Sequence, residues 1–124
     1  MPYSPLGRGF LTGRIRSVDQ LDENDFRRNN PRFEDEALAA NLRIVDVIEG
    51  VAGEVDATPA QVALAWLLAQ GEDIVPIPGT RKLERVDENI GATELALTDD
   101  QLRRLSGVGP AVGDRYADMS SVNR

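Results

Sequence analysis

A chain of 124 residues, 41% hydrophobic and 28% charged, has the composition of an ordinary soluble globular sequence and the length of one domain or less. Its formal charge of -7 and sequence pI near 4.5 argue against a general affinity for nucleic acid or anionic lipid, because both need a summed positive field. The lack of cysteine excludes disulfides, thiolate metal sites and cysteine nucleophiles, and the lack of histidine removes the commonest general base near neutral pH and the commonest zinc ligand. Residues 1–10 show no basic stretch leading into an apolar run, and no window approaches about 18 uninterrupted apolar residues. A cytoplasmic protein that neither spans membranes nor binds nucleic acid is the expectation.

Taken in order, Tyr3-Ser4-Pro5-Leu6 is a short extended run entering Gly7-Arg8-Gly9, which predicts a strand end meeting a loop. Residues 12–32 are polar, mix charges of both signs and include Asn29-Asn30-Pro31, so they read as a long functional loop without periodic structure. Residues 34–55 place Ala37, Leu38, Leu42, Val45, Ile48, Val51 and Ala52 at helical spacings behind an acidic first turn. Thr58 is an N-cap followed by Pro59, and the next helix, rich in Val62, Leu64, Ala65, Trp66, Leu67 and Leu68, is apolar almost all round up to Gly71. Such a helix packs between layers, and Trp66 on it reads as core. Ile74-Val75-Pro76-Ile77-Pro78 predicts a buried parallel strand, and a helix follows with Leu83, Val86, Asp87 and Ile90 in register and Gly91 at its close. Thr98-Asp99-Asp100-Gln101 is a capping box opening a last helix through Leu102 and Leu105, ahead of a Gly-rich tail in which Tyr116 has no evident partner.

Strand, loop, helix, helix, strand, helix, helix is an α/β order. Two strands leave unpaired edges, so the chain, which begins abruptly, reads as one piece of a larger parallel sheet.

Two constellations carry chemistry. In Ser4-Pro5-Leu6-Gly7-Arg8-Gly9, glycines let backbone amides approach a ligand, while the Ser4 hydroxyl and Arg8 guanidinium can meet phosphate oxygens; alone, the motif is more simply a Gly-rich turn. In Gly79-Thr80-Arg81-Lys82, with Arg85, Glu88 and Asn89 on the face beyond, a helix start joins a hydroxyl and several cations, as a phosphate site needs. A solvated charged face with an Arg85–Glu88 pair accounts for that second group equally well on its own. Together they strengthen each other, because parallel strands put their C-terminal ends on one rim, and loops after strands seven and eight of a barrel frequently bind phosphate. The fingerprint Gly-x-Gly-x-x-Gly of an open dinucleotide-binding sheet is missing. The acidic residues Asp19, Asp22, Glu23 and Asp25 fit no calcium-loop spacing and read as solvated loop rather than a metal site.

These residues resemble the C-terminal part of aldo/keto reductases, most nearly the branch that includes perakine and pyridoxal reductases. The likeness rests on residues 3–13, on Asp25-Phe26-Arg27-Arg28 and Pro31-Arg32-Phe33, on Thr58-Pro59-Ala60-Gln61 through Trp66, on Ile77-Pro78-Gly79-Thr80-Arg81 and on Glu88-Asn89, and so spans nearly the whole chain. The resemblance implies a (β/α)8 TIM barrel of eight parallel strands, with residues 1–124 as a partial NADP-dependent oxidoreductase domain carrying strands seven and eight with their helices. It implies that Tyr3 lies against a nicotinamide ring, that Ser4, Leu6 and Gly7 approach the pyrophosphate, that Gly79, Thr80, Arg81 and Arg85 hold the adenosine 2′-phosphate, and that Glu88 and Asn89 contact adenine. Arg81 and Arg85 favour NADP(H) over NAD(H), since the extra phosphate carries about two negative charges.

Family members reduce an aldehyde or ketone with a tyrosine acid assisted by lysine, aspartate and histidine from earlier strands. None of those positions is matched here. The expectation is a cofactor-binding part without catalytic residues, inactive alone, either of an NADPH-dependent reductase or of a non-catalytic remnant needing a separate N-terminal half-barrel. An interaction module built on the acidic loop is a third class that no sequence feature favours.

Overall fold

The computed structural model describes residues 1–117. Its α-helices are α1 (Asp35–Val55), α2 (Pro59–Leu68), α3 (Leu83–Gly91) and α4 (Asp99–Ser106).

Local chemistry sets most of the helix ends. Thr58 opens α2 with a reciprocal capping box, its hydroxyl accepting from the Gln61 amide at 3.2 Å while Gln61 Oε1 accepts from the Thr58 amide at 3.1 Å. Thr98 and Gln101 repeat the arrangement at α4. Helix α1 begins with Asp35 and Glu36 against the positive end of its dipole and stops where Asp56 adopts a left-handed conformation, φ 52°. Gly91 closes α3 from within: it is right-handed and runs on into the turn Ala92–Glu94, and a side chain there would meet the Gln61 amide of α2 at 2.7 Å.

Two corrections to the expected architecture arise before α1 and around residue 77. Residues 12–32 are not periodic, yet they are ordered as short 3-10 turns, Phe10–Thr12, Val18–Gln20, Phe26–Asn29 and Pro31–Phe33. Ser17, Asp25 and Asn30 each cap the turn that follows them, and the turns deliver Phe10, Ile15, Leu21 and Phe33 into a cluster with Leu38 and Val45 of α1. The two expected strands, in turn, do not form a ladder: among the described residues there is one isolated parallel bridge, Tyr3 with Ile77, made by the Ile77 amide donating to the Pro2 carbonyl at 3.1 Å. Prolines explain its brevity. Pro2, Pro5, Pro76 and Pro78 flank the bridge on both segments and have no N–H to donate.

A second cluster joins the far half of α1 (Ile48, Val51, Ala52) to Val62 of α2 and Leu105 of α4. Trp66 packs against this cluster but stays half-buried, and its indole N–H donates to the Ser106 hydroxyl at 3.0 Å. Leu83, Val86 and Ile90 of α3, with Val75 and Ile77 beside them, remain exposed. Among the described residues no helix is long and apolar enough to cross a membrane.

Candidate functional site

The single bridge has a large positional effect. It sets the loop after Tyr3 beside the loop after Ile77, and the two become facing walls of one cavity of about 470 Å3. Ser4, Leu6 and Arg8 line one side; Gly79, Thr80, Arg85, Glu88 and Asn89 line the other. The two constellations, far apart in sequence, thus meet at one place.

The first wall is a tightly turned backbone. Ser4 (φ 46°), Gly7 (59°), Arg8 (59°) and Gly9 (89°) all take the left-handed region, which costs little for the glycines and is uncommon for Ser4 and Arg8. Strain of this kind persists where the surroundings hold it in place. The turn closes on itself through Gly7 N–H to Ser4 O, Gly9 N–H to Leu6 O and Leu11 N–H to Leu6 O. From outside, the Arg27 guanidinium donates to the Arg8 carbonyl at 3.1 Å. Arg27 is itself fixed by Asp25 at 2.6 Å, and that guanidinium holds the Asp25 carboxyl at about 2, below its ordinary 3.8. Asp25 is therefore a structural ion-pair partner; among the described residues no group of three His, Cys, Asp or Glu side chains is placed to hold a metal.

The second wall is the start of α3. Thr80 Oγ1 accepts from the Lys82 amide at 3.1 Å, and Lys82, the cap position, closes the helix start without a side-chain hydrogen bond of its own. Arg85 Nη1 donates to Glu88 Oε2 at 2.6 Å across one turn, which aims the guanidinium while leaving its other donors unspent. Gln61 of α2 donates to the Glu88 carbonyl at 2.9 Å and so locks α3 to its neighbour. No side-chain atom stands within 4 Å of where a Cβ on Gly79 would lie, so a ligand can reach the backbone there.

Three expected residues lie elsewhere. Gly7 turns its surface towards a second groove, Arg81 is exposed outside the cavity lining, and Tyr3 faces that second groove, of about 390 Å3, beside Trp66 and Arg115. Arg8 lines the cavity, but its guanidinium is engaged: it donates to the Arg115 carbonyl at 3.1 Å and sits 5.5 Å and 4.8 Å from the ring centres of Phe26 and Tyr116. Arg14 and Thr12 also line the cavity; sequence reasoning passed over both because they stand at the edge of the polar stretch.

Tyr116 does have partners, contrary to expectation. Its hydroxyl lies 3.4 Å from that of Tyr3, and its ring receives Arg8. The shared hydrogen bond raises the Tyr3 phenol above its ordinary value and lowers that of Tyr116, so the two do not ionise together. A cavity lined by Ser4, Thr12 and Arg14 on one side and by Thr80 and Arg85 on the other offers hydroxyls and guanidiniums that can receive a phosphate-bearing ligand.

The model of the aldo/keto reductase family matches residues 1–109. This chain belongs to the aldo/keto reductase family. It is 46% identical over 117 residues to aldo-keto reductase yakc of Schizosaccharomyces pombe, whose name carries NADP(+), with 92% of this chain and 34% of that protein covered. Probable aldo-keto reductase 1 of Glycine max is 47% identical over 119 residues, covering 94% and 34%. Aldo-keto reductase str7 of Strobilurus tenacellus is 42% identical over 123 residues, covering 97% and 37%. The chain thus spans about a third of the length of these relatives, and the family it belongs to has a TIM-barrel fold.

Proposed function

We propose that this chain is the C-terminal, cofactor-gripping part of an NADP(H)-dependent aldo/keto reductase barrel, contributing strands seven and eight of that barrel. The Tyr3–Ile77 bridge supports this reading most directly, because parallel pairing at the strand ends is what makes one cavity out of the loop Ser4-Pro5-Leu6-Gly7-Arg8 and the helix start beyond Gly79. In this reading Tyr3 lies against the nicotinamide and the Ser4, Leu6 and Gly7 backbone meets the pyrophosphate. Gly79, Thr80, Arg81 and Arg85 take the 2′-phosphate, and Glu88 with Asn89 meets the adenine edge. Arg81 swings from the exposed loop onto the phosphate when the ligand arrives, whereas Arg85 is already aimed by Glu88. A cavity of about 470 Å3, open above Gly79, fits the adenosine end of such a cofactor.

When bound, the cofactor supplies hydride to an aldehyde or ketone; the residues of this chain orient it. The tyrosine, lysine, aspartate and histidine that the family resemblance assigns to proton transfer have no counterpart here, and histidine is absent from the sequence. The chain alone is therefore proposed to bind cofactor and reduce no carbonyl. Calorimetry tests this. NADPH should bind in preference to NADH, and Arg81→Ala and Arg85→Ala should each weaken it about tenfold, as expected for a lost hydrogen bond between charged groups. Equal binding of the two cofactors, or no binding by folded protein, would overturn the assignment.

A further inference from the structure

Residues 108–116 are laid back across the molecule as a strap. Arg43 donates to the carbonyls of Val108 and Pro110, and the buried Asn41 both accepts from the Val112 amide (2.6 Å) and donates to the Val112 carbonyl (2.9 Å). Arg32 donates to the Gly113 carbonyl at 3.2 Å, and Asn30 to the Arg115 carbonyl at 2.8 Å. At Gly113, φ is +92° and a Cβ would stand 2.7 Å from the Pro31 carbonyl oxygen, so the strap passes in direct contact with the chain below it. All this anchoring delivers one side chain to one place. The Arg115 guanidinium carbon lies 4.2 Å from the Tyr3 ring centre, and Nη2 donates to the Tyr3 carbonyl at 3.1 Å. Among the described residues no carboxylate pairs with Arg115, and its Nε is buried without a hydrogen-bond partner. Arg8 and Asn30 donating to its carbonyl, its own hydrogen bond to the Tyr3 carbonyl and the contact with the Tyr3 ring together set its position.

We propose that Arg115 is a positioning and specificity residue that, by resting its cation on one face of Tyr3, orients that ring for the nicotinamide and biases the site towards the reduced cofactor. The inference rests on the cofactor reading above. Tyr3 keeps about half its surface exposed after Arg115 has stacked on it, which leaves ring surface for a second flat partner. The oxidised nicotinamide is a cation and the reduced one is neutral. A second cation placed across the same ring from Arg115 shares the ring's negative quadrupole and is repelled through it, whereas the neutral ring meets neither penalty.

The test is a titration of the chain with NADPH, NADP+ and 2′-phospho-ADP-ribose, which has both phosphate groups and no nicotinamide. In Arg115→Met the ratio of NADPH to NADP+ affinity should fall about three- to fivefold, the scale of a partly exposed cation–π and charge–charge contact. Affinity for 2′-phospho-ADP-ribose should not move, and Arg115→Lys should restore most of the ratio. Tyr3→Leu removes the ring and keeps the cation, so the oxidised nicotinamide loses its cation–π contact while the repulsion from Arg115 remains; the ratio should hold or rise, and adding Arg115→Met should then lower it. An unchanged ratio in folded Arg115→Met, or an equal loss for all three ligands, would overturn the proposal and leave the cofactor assignment standing. Failure of wild-type protein to bind any of the three would remove both.

Discussion

Helices α1 and α3 carry the same kind of apolar stripe and meet opposite fates. Along α1, Leu38, Val45, Ile48 and Val51 are buried, while along α3, Leu83, Val86 and Ile90 stay 78%, 40% and 60% exposed. Helix α1 runs for 21 residues and α3 for 9, yet each gathers its apolar residues on one face. The stripe of α1 is covered by the capped 3-10 turns on one half and by α2 and α4 on the other. For the outer side of α3, and for Val75 and Ile77 beside it, no cover exists among the described residues. An amphipathic pattern therefore announces that a face favours burial, and the rest of the fold decides whether it is buried. In the proposed barrel, the bare face of α3 and the bridge is where further barrel elements pack.

The sharpest way to break this comparison is a matched pair of truncations. Ile48→Ala removes a side chain 6% exposed, and should cost about 2–5 kcal/mol in urea unfolding; Ile90→Ala removes the same atoms at 60% exposure and should stay within about 0.5 kcal/mol. Comparable losses at the two positions would show that α3 is buried in solution, by self-association or otherwise. A smaller effect is expected at Asn41, which joins the covered region to the strap. Asn41→Ala leaves the Val112 amide and carbonyl without their partner and should cost about 1–3 kcal/mol by the same measurement.

The smallest effect depends on pH. Because Arg27 holds Asp25 near 2 rather than 3.8, the pair stabilises the folded chain above the ordinary carboxylate range and stops doing so as pH falls from about 4 through about 2. Asp25→Asn should therefore melt below wild type at pH 6, with the gap closing towards pH 2. Because Asn keeps an acceptor for the Arg27 amide, a gap that persists at pH 2 would show that the loss does not come from the charge of Asp25.

What could be read in advance follows the range of each interaction. Helices α1, α2 and α4 were legible because Thr58, Thr98 and the acidic first turn of α1 act within three or four residues of the helix they start. The turns between residues 10 and 33 were not, although Ser17, Asp25 and Asn30 cap them locally, because Phe10, Ile15, Leu21 and Phe33 follow no single period. Each motif could be read because it is contiguous, and the fold brings Ser4, Leu6 and Arg8 of one and Gly79, Thr80, Arg85, Glu88 and Asn89 of the other to one cavity while leaving Tyr3, Gly7 and Arg81 outside its lining. Arg14 was missed because it stands at the edge of the polar stretch, and the partners of Tyr116 and the engagement of Arg8 were missed because those contacts join residues from the two ends of the chain. The expected ladder failed for a reason already visible in the sequence, the prolines that remove its donors.

The strap also bears on how the molecule assembles in time. Its contact with Tyr3 joins residues 112 apart, and that of Asn41 with Val112 joins residues 71 apart, so each closes a long loop before any contact repays the lost chain entropy. Helices α1 and α2, adjacent in sequence and each started locally, can form and pack well before then. The order expected from this is a helical nucleus first and the Arg115–Tyr3 stack last, so the Tyr3 ring takes its final orientation only in the closing step of folding.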